Sequence, residues 1–513
     1  MGPKSANPLF TSEAVAAPFR TDGRSKLFRG QAGPTLRQAP VCDVAGRPVL
    51  EQSRSYCFPM VVLTGRTHMR HAPLAFMSCL ILSAPALAQV QPSAPGSDQA
   101  IGQRFEVKAD QLPKPLEGPI VRNPPLIAER ENRAPAVPDA FEVSLFADKL
   151  DNPRQALVLP NGDLAVVSQG SGTIFILRDA DRDGRAEWIE RFAAGFNKPN
   201  GIAHRPDELL VADQDGIWRL AYQDGAIRSQ GGPLRRAADV PLEQRKPDPV
   251  MDGQKLITEK GVFGIVQGHA NRDLEVGPDG RLYVGVGSAG NLGVEPEPKA
   301  TIQRFSADGK DQTTIASGVR NPVGLAFHPE TGELWATVQE RDGFGDQLVP
   351  DYLIRVQEGG FYGWPYAYTG QHPQPGFAAM APEKVAVSIA PDLLFEAHSS
   401  AMDFVFLTGE RVPPAYRGDA IVALKGSWNR SKPTGYKVVR VKFEQGRPVG
   451  WYDNFMTGFW TEGEDRALVW GRPADVALAP DGALFVVDDT GGTIWRVTPK
   501  TDREATGAIT PQP

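Results

Sequence analysis

The sequence predicts an all-β protein, a six-bladed β-propeller over residues 141–500. Three observations carry that prediction. A strand–turn–strand unit recurs with one turn signature at intervals of roughly 40 to 70 residues. The 513 residues include 53 Gly and 46 Pro, the turn formers that many short strands require, and 41% hydrophobic residues, enough for a large core. Within each unit the apolar residues alternate rather than recurring at helical spacing. A β-sandwich would give short strands too, but sandwiches rarely repeat one turn signature in register.

Taken from the N-terminus, residues 1–68 are basic, lack periodic structure and hold Cys42 and Cys57. From Met69 the pattern changes. Arg70 supplies a positive start, residues 72–82 an apolar run, and Ala86 to Ala88 a small-x-small cleavage site. These are the features of a secretory signal peptide over 69–88, and the run is too short for a comfortable membrane span. The expectation is that translation starts at Met69, that 1–68 is a mis-assigned upstream extension, and that the mature protein begins at Gln89 in the periplasm with no transmembrane segment. Cleavage would also remove Cys79, leaving no disulfide and no Cys-x-x-Cys-His haem attachment. Residues 1–88 hold 10 Lys and Arg and 4 Asp and Glu, so their loss leaves 45 basic against 57 acidic residues, a formal net of −12. That balance argues against nucleic acid or an anionic membrane as the main partner. Residues 89–140 read as an irregular, Pro-rich lead-in, 223–261 as an insertion between units, and 501–513 as a tail.

Four copies of the unit share its turn: "ALVLPNGDLAVVS" (156–168), "IAHRPDELLVAD" (202–213), "LEVGPDGRLYVGVGS" (274–288) and "VALAPDGALFVVDD" (476–489). A degenerate copy spans 402–428. The most informative copy is 318–352, in which "VGLAF" and "ELWATV" flank the turn "HPETG". In a hairpin both outer ends lie on the side away from the turn. Arg320 and Asn321 before the first strand should therefore meet Gln339, Glu340, Arg341 and Asp342 after the second, far from His328 in the turn. The same register in other units brings Arg154, Gln155, Asn197, Asn200, His269, Lys425 and Arg472 to that side. Four cations, Arg154, Arg320, Lys425 and Arg472, suit an anionic ligand with several carboxylates; ordinary solvated rim charges are the alternative. Of the histidines after residue 88, His204 and His328 fall at turns, and His372 and His398 in loops. His269 alone stands at the open end of a well-formed unit, where a neutral imidazole can act as a general base.

One motif stands apart. Asp179, Asp181, Asp183, Gly184 and Glu190 match the D-x-D-x-D-G-x5-E spacing of a Ca²⁺ loop. The strand-like "TIFIL" before it argues against an EF-hand helix pair, so the loop is either a structural Ca²⁺ site in a hairpin or a polar, solvated turn.

"GHANRDLEVGPDGRLYVGVGS", "GVRNPVGLAF", "VQERDGFGDQLVPDYL", "GGFYGWPYAY", "LKGSWNRSKPTGYKVVRV" and "GRPADVALAPDGALFVVDD" occur in that order. Together they resemble the L-sorbosone dehydrogenases and the soluble aldose (glucose) dehydrogenases that use pyrroloquinoline quinone (PQQ) and Ca²⁺. The resemblance covers about 141–499. It implies a six-bladed propeller, a sugar or sugar-aldehyde substrate and an external electron acceptor, a quinone or a cytochrome. It implies His269 as catalytic base, Arg320 and Asn321 at the quinone, Gln339 beside it, and Lys425 and Arg472 on PQQ carboxylates, with the carbonyls of Glu340 and Arg341 on Ca²⁺. Arg154 joins the cofactor set by its register. Three positions depart from the glucose-oxidising pattern: Gly268 replaces an acidic residue, Val323 a Gln and Ala474 an Arg. "QERDGFGD" and "GSWNR" are nearer the sorbosone branch. A Ca²⁺-dependent propeller hydrolase or lactonase is the rival from another class, and a non-catalytic binding propeller a third; fold alone does not choose.

Overall fold

The computed structural model describes residues 98–227 and 254–500. All the described residues belong to one compact unit. The upstream extension, the signal segment, the tail and most of the expected insertion lie outside the described residues.

Among the described residues, six sheets of four or five strands succeed one another along the chain, antiparallel except where Gly360–Phe361 adds in parallel to Thr313–Ser317. Each opens with one strand of a predicted unit: Pro153–Val158, Gly201–Arg205, Leu274–Val276, Asn321–Phe327, Ala401–Phe406 and Pro473–Leu478. The sixth sheet is completed from the other end of the chain. Phe141–Ala147 pairs with Thr493–Pro499, with Phe141 opposite Pro499. The six opening strands also touch in order, and the sixth touches the first. The lead-in is less irregular than expected: Arg104–Phe105 adds to Arg447–Met456, Leu126–Ile127 to Leu468–Val469, and Ala136 bridges Thr457.

The layers between sheets are apolar. Trp335, Trp470 and Trp495 are fully buried there, and such large rings dominate the hydrophobic gain. Where the opening strands meet, the core is polar. Four of these strands carry a bulge two or three residues in, at Pro153/Gln155, Pro322/Gly324, Ala401/Phe404 and Pro473/Asp475. A bulge frees a backbone N–H from its own ladder, and a neighbouring sheet takes it up. Ala156 N donates to Asp475 (2.7 Å) and Leu325 N to Asp273 (2.6 Å); Ile202 N, on an opening strand without a bulge, donates likewise to Gln155 Oε1 (2.7 Å). Gln155 Nε2 then donates to Asp273 (2.5 Å) and Asp403 (2.9 Å). Burial, and then the neighbouring carboxylates, push Asp273 and Asp403 well above the usual carboxylate range.

The expected 318–352 hairpin is present, with Asn321 directly opposite Gln339. His328 departs from expectation. It does sit at the turn, but it is buried, not a surface residue. Its Nδ1 accepts from Glu330 N and Thr331 N, and its ring packs on Phe406. The imidazole serves as the cap of the turn.

Candidate active site

The open ends of the hairpins converge as the register requires. Asn321 Nδ2 donates to Gln339 Oε1 (3.0 Å), and Gln339 Nε2 reaches the next sheet at Ser400 Oγ (2.9 Å) and Ala401 O (3.0 Å). Gln339 is thereby a strut between two sheets, with both ends of its amide engaged. Asn321 Oδ1 is buried with no protein partner.

His269 precedes the opening strand Leu274–Val276. Its Nδ1 lies 2.9 Å from Ser288 O and 3.1 Å from Ser288 Oγ. The carbonyl can only accept, so Nδ1 carries the proton and Nε2 keeps its lone pair, with no partner among the described residues. Burial, and then the nearby Arg320 guanidinium, lower the imidazole to about 4, which keeps it neutral. Ser288 N donates to Arg320 O (2.8 Å), tying the two residues together. Gly287 permits the approach, since a Cβ there would lie 2.3 Å from Asn321 Oδ1 and 2.6 Å from His269 Cβ. Gly268 has a φ of +73°, and a Cβ on it would stand 2.3 Å from Ala289 O. The backbone therefore requires glycine, which is why no acidic side chain precedes the histidine.

Arg320 is held on every side. Nε donates to Asn291 O (3.0 Å), Nη2 to Asn291 Oδ1 (3.0 Å) and Nη1 to Glu340 O (2.7 Å). The Glu340 carbonyl thus already serves a guanidinium, and only its second lone pair remains for a cation; the Arg341 carbonyl succeeds it in the chain. Asp351 fixes this corner by accepting from Glu340 N and Ser400 N.

The expected row of four free cations is not what forms. Asp489 sits between two of them, accepting from Arg154 Nη1 at 2.6 Å and from Lys425 Nζ. Arg154 Nη2 donates to Asn271 Oδ1 (3.1 Å), so Arg154 is a partly buried partner of Asp489 and not a free ligand-binding cation. Arg472 packs beside Lys425, donating from Nε to Lys425 O (3.0 Å) and from Nη2 to Gly426 O (2.8 Å). Burial, and then the Arg154 charge, pull Lys425 down to about 8, against the attraction of Asp489. Lys425 and Arg472 stay partly open to solvent and keep donors to spare. Their cationic chemistry fits carboxylates of a planar ligand, and the unpartnered Asn321 Oδ1 lies on the His269 side of the same face. Sequence reasoning missed Asp489, although "VVDD" ends a unit in the same register.

His398, in a loop of the sequence, supports this face. Its Nε2 lies 2.9 Å from Gly345 O and its Nδ1 3.5 Å from Asp342. Burial opposes its charge, but the Asp342 carboxylate raises it overall.

The acidic motif lies in the loop between Thr173–Arg178 and Trp188–Ala194. Asp179, Asp181, Asp183 and Glu187 bring ligand atoms within 4.8 Å of one another and could hold a divalent cation. Glu190 does not join them. It is buried in the strand, opposite Ile176. A helix would carry the twelfth position back to the loop, whereas the strand that begins at Trp188 carries it away. Val323 and Ala474, the other two departures, are buried core residues.

A family model described as TrAA12-like matches residues 382–500. An uncharacterized protein of Borreliella burgdorferi is 25% identical over 382 residues, 72% of this chain and 93% of that one. Among solved structures, a Trichoderma reesei protein of Carbohydrate-Active Enzymes Family AA12 superposes with a TM-score of 0.56 at 20% identity, over 72% of this chain and 98% of that one. The PQQ domain of a pyranose dehydrogenase from Coprinopsis cinerea, in its holo form, also gives 0.56, at 19% identity over 73% and 99%. This chain therefore shares the nearly all-β, many-sheeted fold of those two proteins.

Proposed function

We propose that the protein is a quinoprotein oxidoreductase. It would oxidise an aldose or a sorbosone-like sugar aldehyde with PQQ and Ca²⁺ and pass electrons to an external quinone or cytochrome. The fold is then a six-bladed propeller, a reading supported by the six successive sheets and the ring of contacts among their opening strands. The observation that carries the functional reading is the pairing of a base and a fixed cation. His269 is neutral, with Nε2 unshared, beside a guanidinium locked by Asn291 and Glu340.

Lys425 and Arg472 would hold carboxylates of PQQ, and Asn321 would offer its free carbonyl oxygen to a donor on the bound molecules. The carbonyls of Glu340 and Arg341 would face Ca²⁺. When bound, PQQ supplies a two-electron acceptor that the protein lacks. His269 Nε2 takes the proton of the substrate hydroxyl, or of the hydrated aldehyde. Arg320 stabilises the negative charge that develops on that oxygen, and its fixed geometry means that little reorganises as it does so. The rival hydrolase reading asks for acidic side chains presented to an ion at the centre of the face. Asp273, Asp403 and Asp475 do lie where the opening strands meet, but they are buried and spent on Gln155 and backbone N–H groups.

The deciding experiment mixes purified protein with PQQ and Ca²⁺ and monitors dye reduction with aldoses and sugar aldehydes. PQQ- and sugar-dependent reduction is expected, and its absence would reject the reading. We further propose export to the periplasm with a mature N-terminus at Gln89. N-terminal sequencing of the native protein checks this, and residues 1–68 still attached would refute it.

A further inference from the structure

Next to Arg320 lies a hollow of about 210 Å³, which shares Asn291 and Arg341 with the site described above and extends beyond it. Ile120 and Val121 of the lead-in form one wall, and Asp342, Trp428 and Asn429 contribute to the rest, with His398 among them. The lead-in is firmly tied down here. Leu116 N donates to Phe344 O (2.9 Å) and Asn123 N to Trp428 O (2.7 Å), while Asn123 Nδ2 reaches Arg430 O (3.0 Å). Gly118 lies so close to Gly345 that a Cβ on the latter would come within 3.1 Å of its Cα. The hollow is thus preformed, as ligand sites usually are.

Its lining is specific. Trp428 is 45% exposed and Ile120 59%, an unusual outlay of apolar surface beside polar groups. Asn429 is only 8% exposed, and its Oδ1 has no partner. Its Nδ2 donates to Asp342 Oδ1 (2.7 Å), which fixes the amide and leaves the carbonyl oxygen as a buried acceptor without a donor. Such an acceptor is costly; the oxygen is itself shielded, so a ligand hydroxyl or N–H in the hollow would reach it only after a small shift of the amide. Both signs of charge line the hollow, Asp342 against the Arg341 guanidinium, which itself stacks 3.8 Å over Phe344. Neither an anion nor a cation is favoured by that balance. A neutral ring with hydroxyl groups on its edge and C–H groups on its face satisfies every feature, with Trp428 as the stacking surface. The hollow also adjoins the site already described, since Asp342 Oδ2 is 3.9 Å from Arg320 Nη2 and Asn291 touches both residues.

We propose that this hollow binds a hexopyranose ring and so places a second sugar unit beside the one that reacts, making a saccharide of two or more units the preferred substrate. The order of the units rests on the sugar-oxidising reading; the binding itself does not.

The test is calorimetric titration of the protein, without added cofactor, with cellobiose and with glucose. Cellobiose should bind saturably and more tightly than glucose. Trp428→Ala, a change at an exposed side chain, should weaken cellobiose roughly 10-fold, the scale of one lost stacking contact. Ile120→Ala should weaken it less. In the PQQ-loaded enzyme, Trp428→Ala should raise KM for cellobiose more than for glucose. Equal cellobiose affinity in wild type and both variants overturns the proposal, as does absence of cellobiose binding at millimolar concentration. Binding that Trp428→Ala abolishes, without any PQQ-dependent dye reduction, upholds the subsite and removes the redox reading. Dye reduction with both sugars alike, unaffected in either variant, does the reverse.

Discussion

The opening strands carry two polar clusters a few residues apart, and the two are built on opposite principles. At the centre, Gln155, Asp273, Asp403 and Asp475 are buried, and each accepts or donates to a neighbour. At the open end, Arg154 stands next to Gln155, and His269 and Arg472 stand within four residues of Asp273 and Asp475. Here bonds are left unmade: Asn321 Oδ1 and Asn429 Oδ1 have no partner, His269 Nε2 is unshared, and Lys425 and Arg472 keep spare donors. A saturated polar cluster holds sheets together. One left unsatisfied by its own chain is waiting for something else to bind, because the cost of an unmade buried hydrogen bond is recovered only on binding.

Substitutions on the two sides of that divide should therefore fail differently. The largest effect is expected from His269→Ala, which should lower turnover roughly 10²–10⁴-fold while leaving thermal stability and PQQ affinity near wild type; near-normal turnover would remove the assignment. Asp273→Ala should act on stability instead. It strands Leu325 N and leaves Gln155 Nε2 with Asp403 alone, at roughly 1–3 kcal/mol for the unmade bond, a loss that denaturant titration would read directly. If the variant unfolds like wild type but loses turnover, the centre is not structural and the contrast collapses.

Lys425→Ala and Arg472→Ala should each weaken PQQ roughly 10- to 150-fold, the value of one charge-assisted hydrogen bond of about 1.5–3 kcal/mol, while the saturated enzyme keeps most of its turnover. Arg320→Ala should do the opposite, because its donors matter most as charge develops. Titrating PQQ into each variant and then measuring turnover at saturation separates the roles, and proportional losses in all three would dissolve the distinction. The pH profile is a gentler probe. Lys425 binds a carboxylate only when protonated, and its pKa in the free protein is about 8. PQQ affinity should hold below that value and fall as pH rises through it. His269 acts only when neutral and loses its proton already at about 4. The acid limb of kcat/KM should therefore lie near 4, and a limb near 6.5 would mean that the histidine is less buried in the working enzyme. The smallest effect is expected at the acidic loop, where exposed Asp181→Asn should shift stability by less than about 0.5 kcal/mol and leave PQQ affinity unchanged.

Much of this was legible in the residues. Alternation and a repeated turn located the opening strands, and hairpin register alone put Asn321 opposite Gln339. What could not be read was pairing across sheets. Nothing in "VVDD" says that Asp489 will neutralise Arg154 and Lys425, since three different sheets supply those side chains. The Glu190 error has the same root in miniature: spacing was matched to a loop leading into a helix, and the chain here continues as a strand. The hollow beside Arg320 was invisible for a further reason, because its lead-in wall at Ile120 and Val121 lies far in sequence from Asn291, Asp342 and Trp428 opposite.

The pairing of Phe141–Ala147 with Thr493–Pro499 has a consequence for the order of events in the cell. Asp489 belongs to the sheet closed by that pairing, and Lys425 and Arg154 both depend on it. A ribosome-bound or partly threaded chain lacks this last partner, however many earlier sheets have formed. Such non-local closure is slow to form, so assembly of the cofactor face is postponed until the whole polypeptide is in one compartment. Under the proposed export and cofactor binding, loading would be confined to the far side of the membrane, and incomplete copies would not sequester the cofactor.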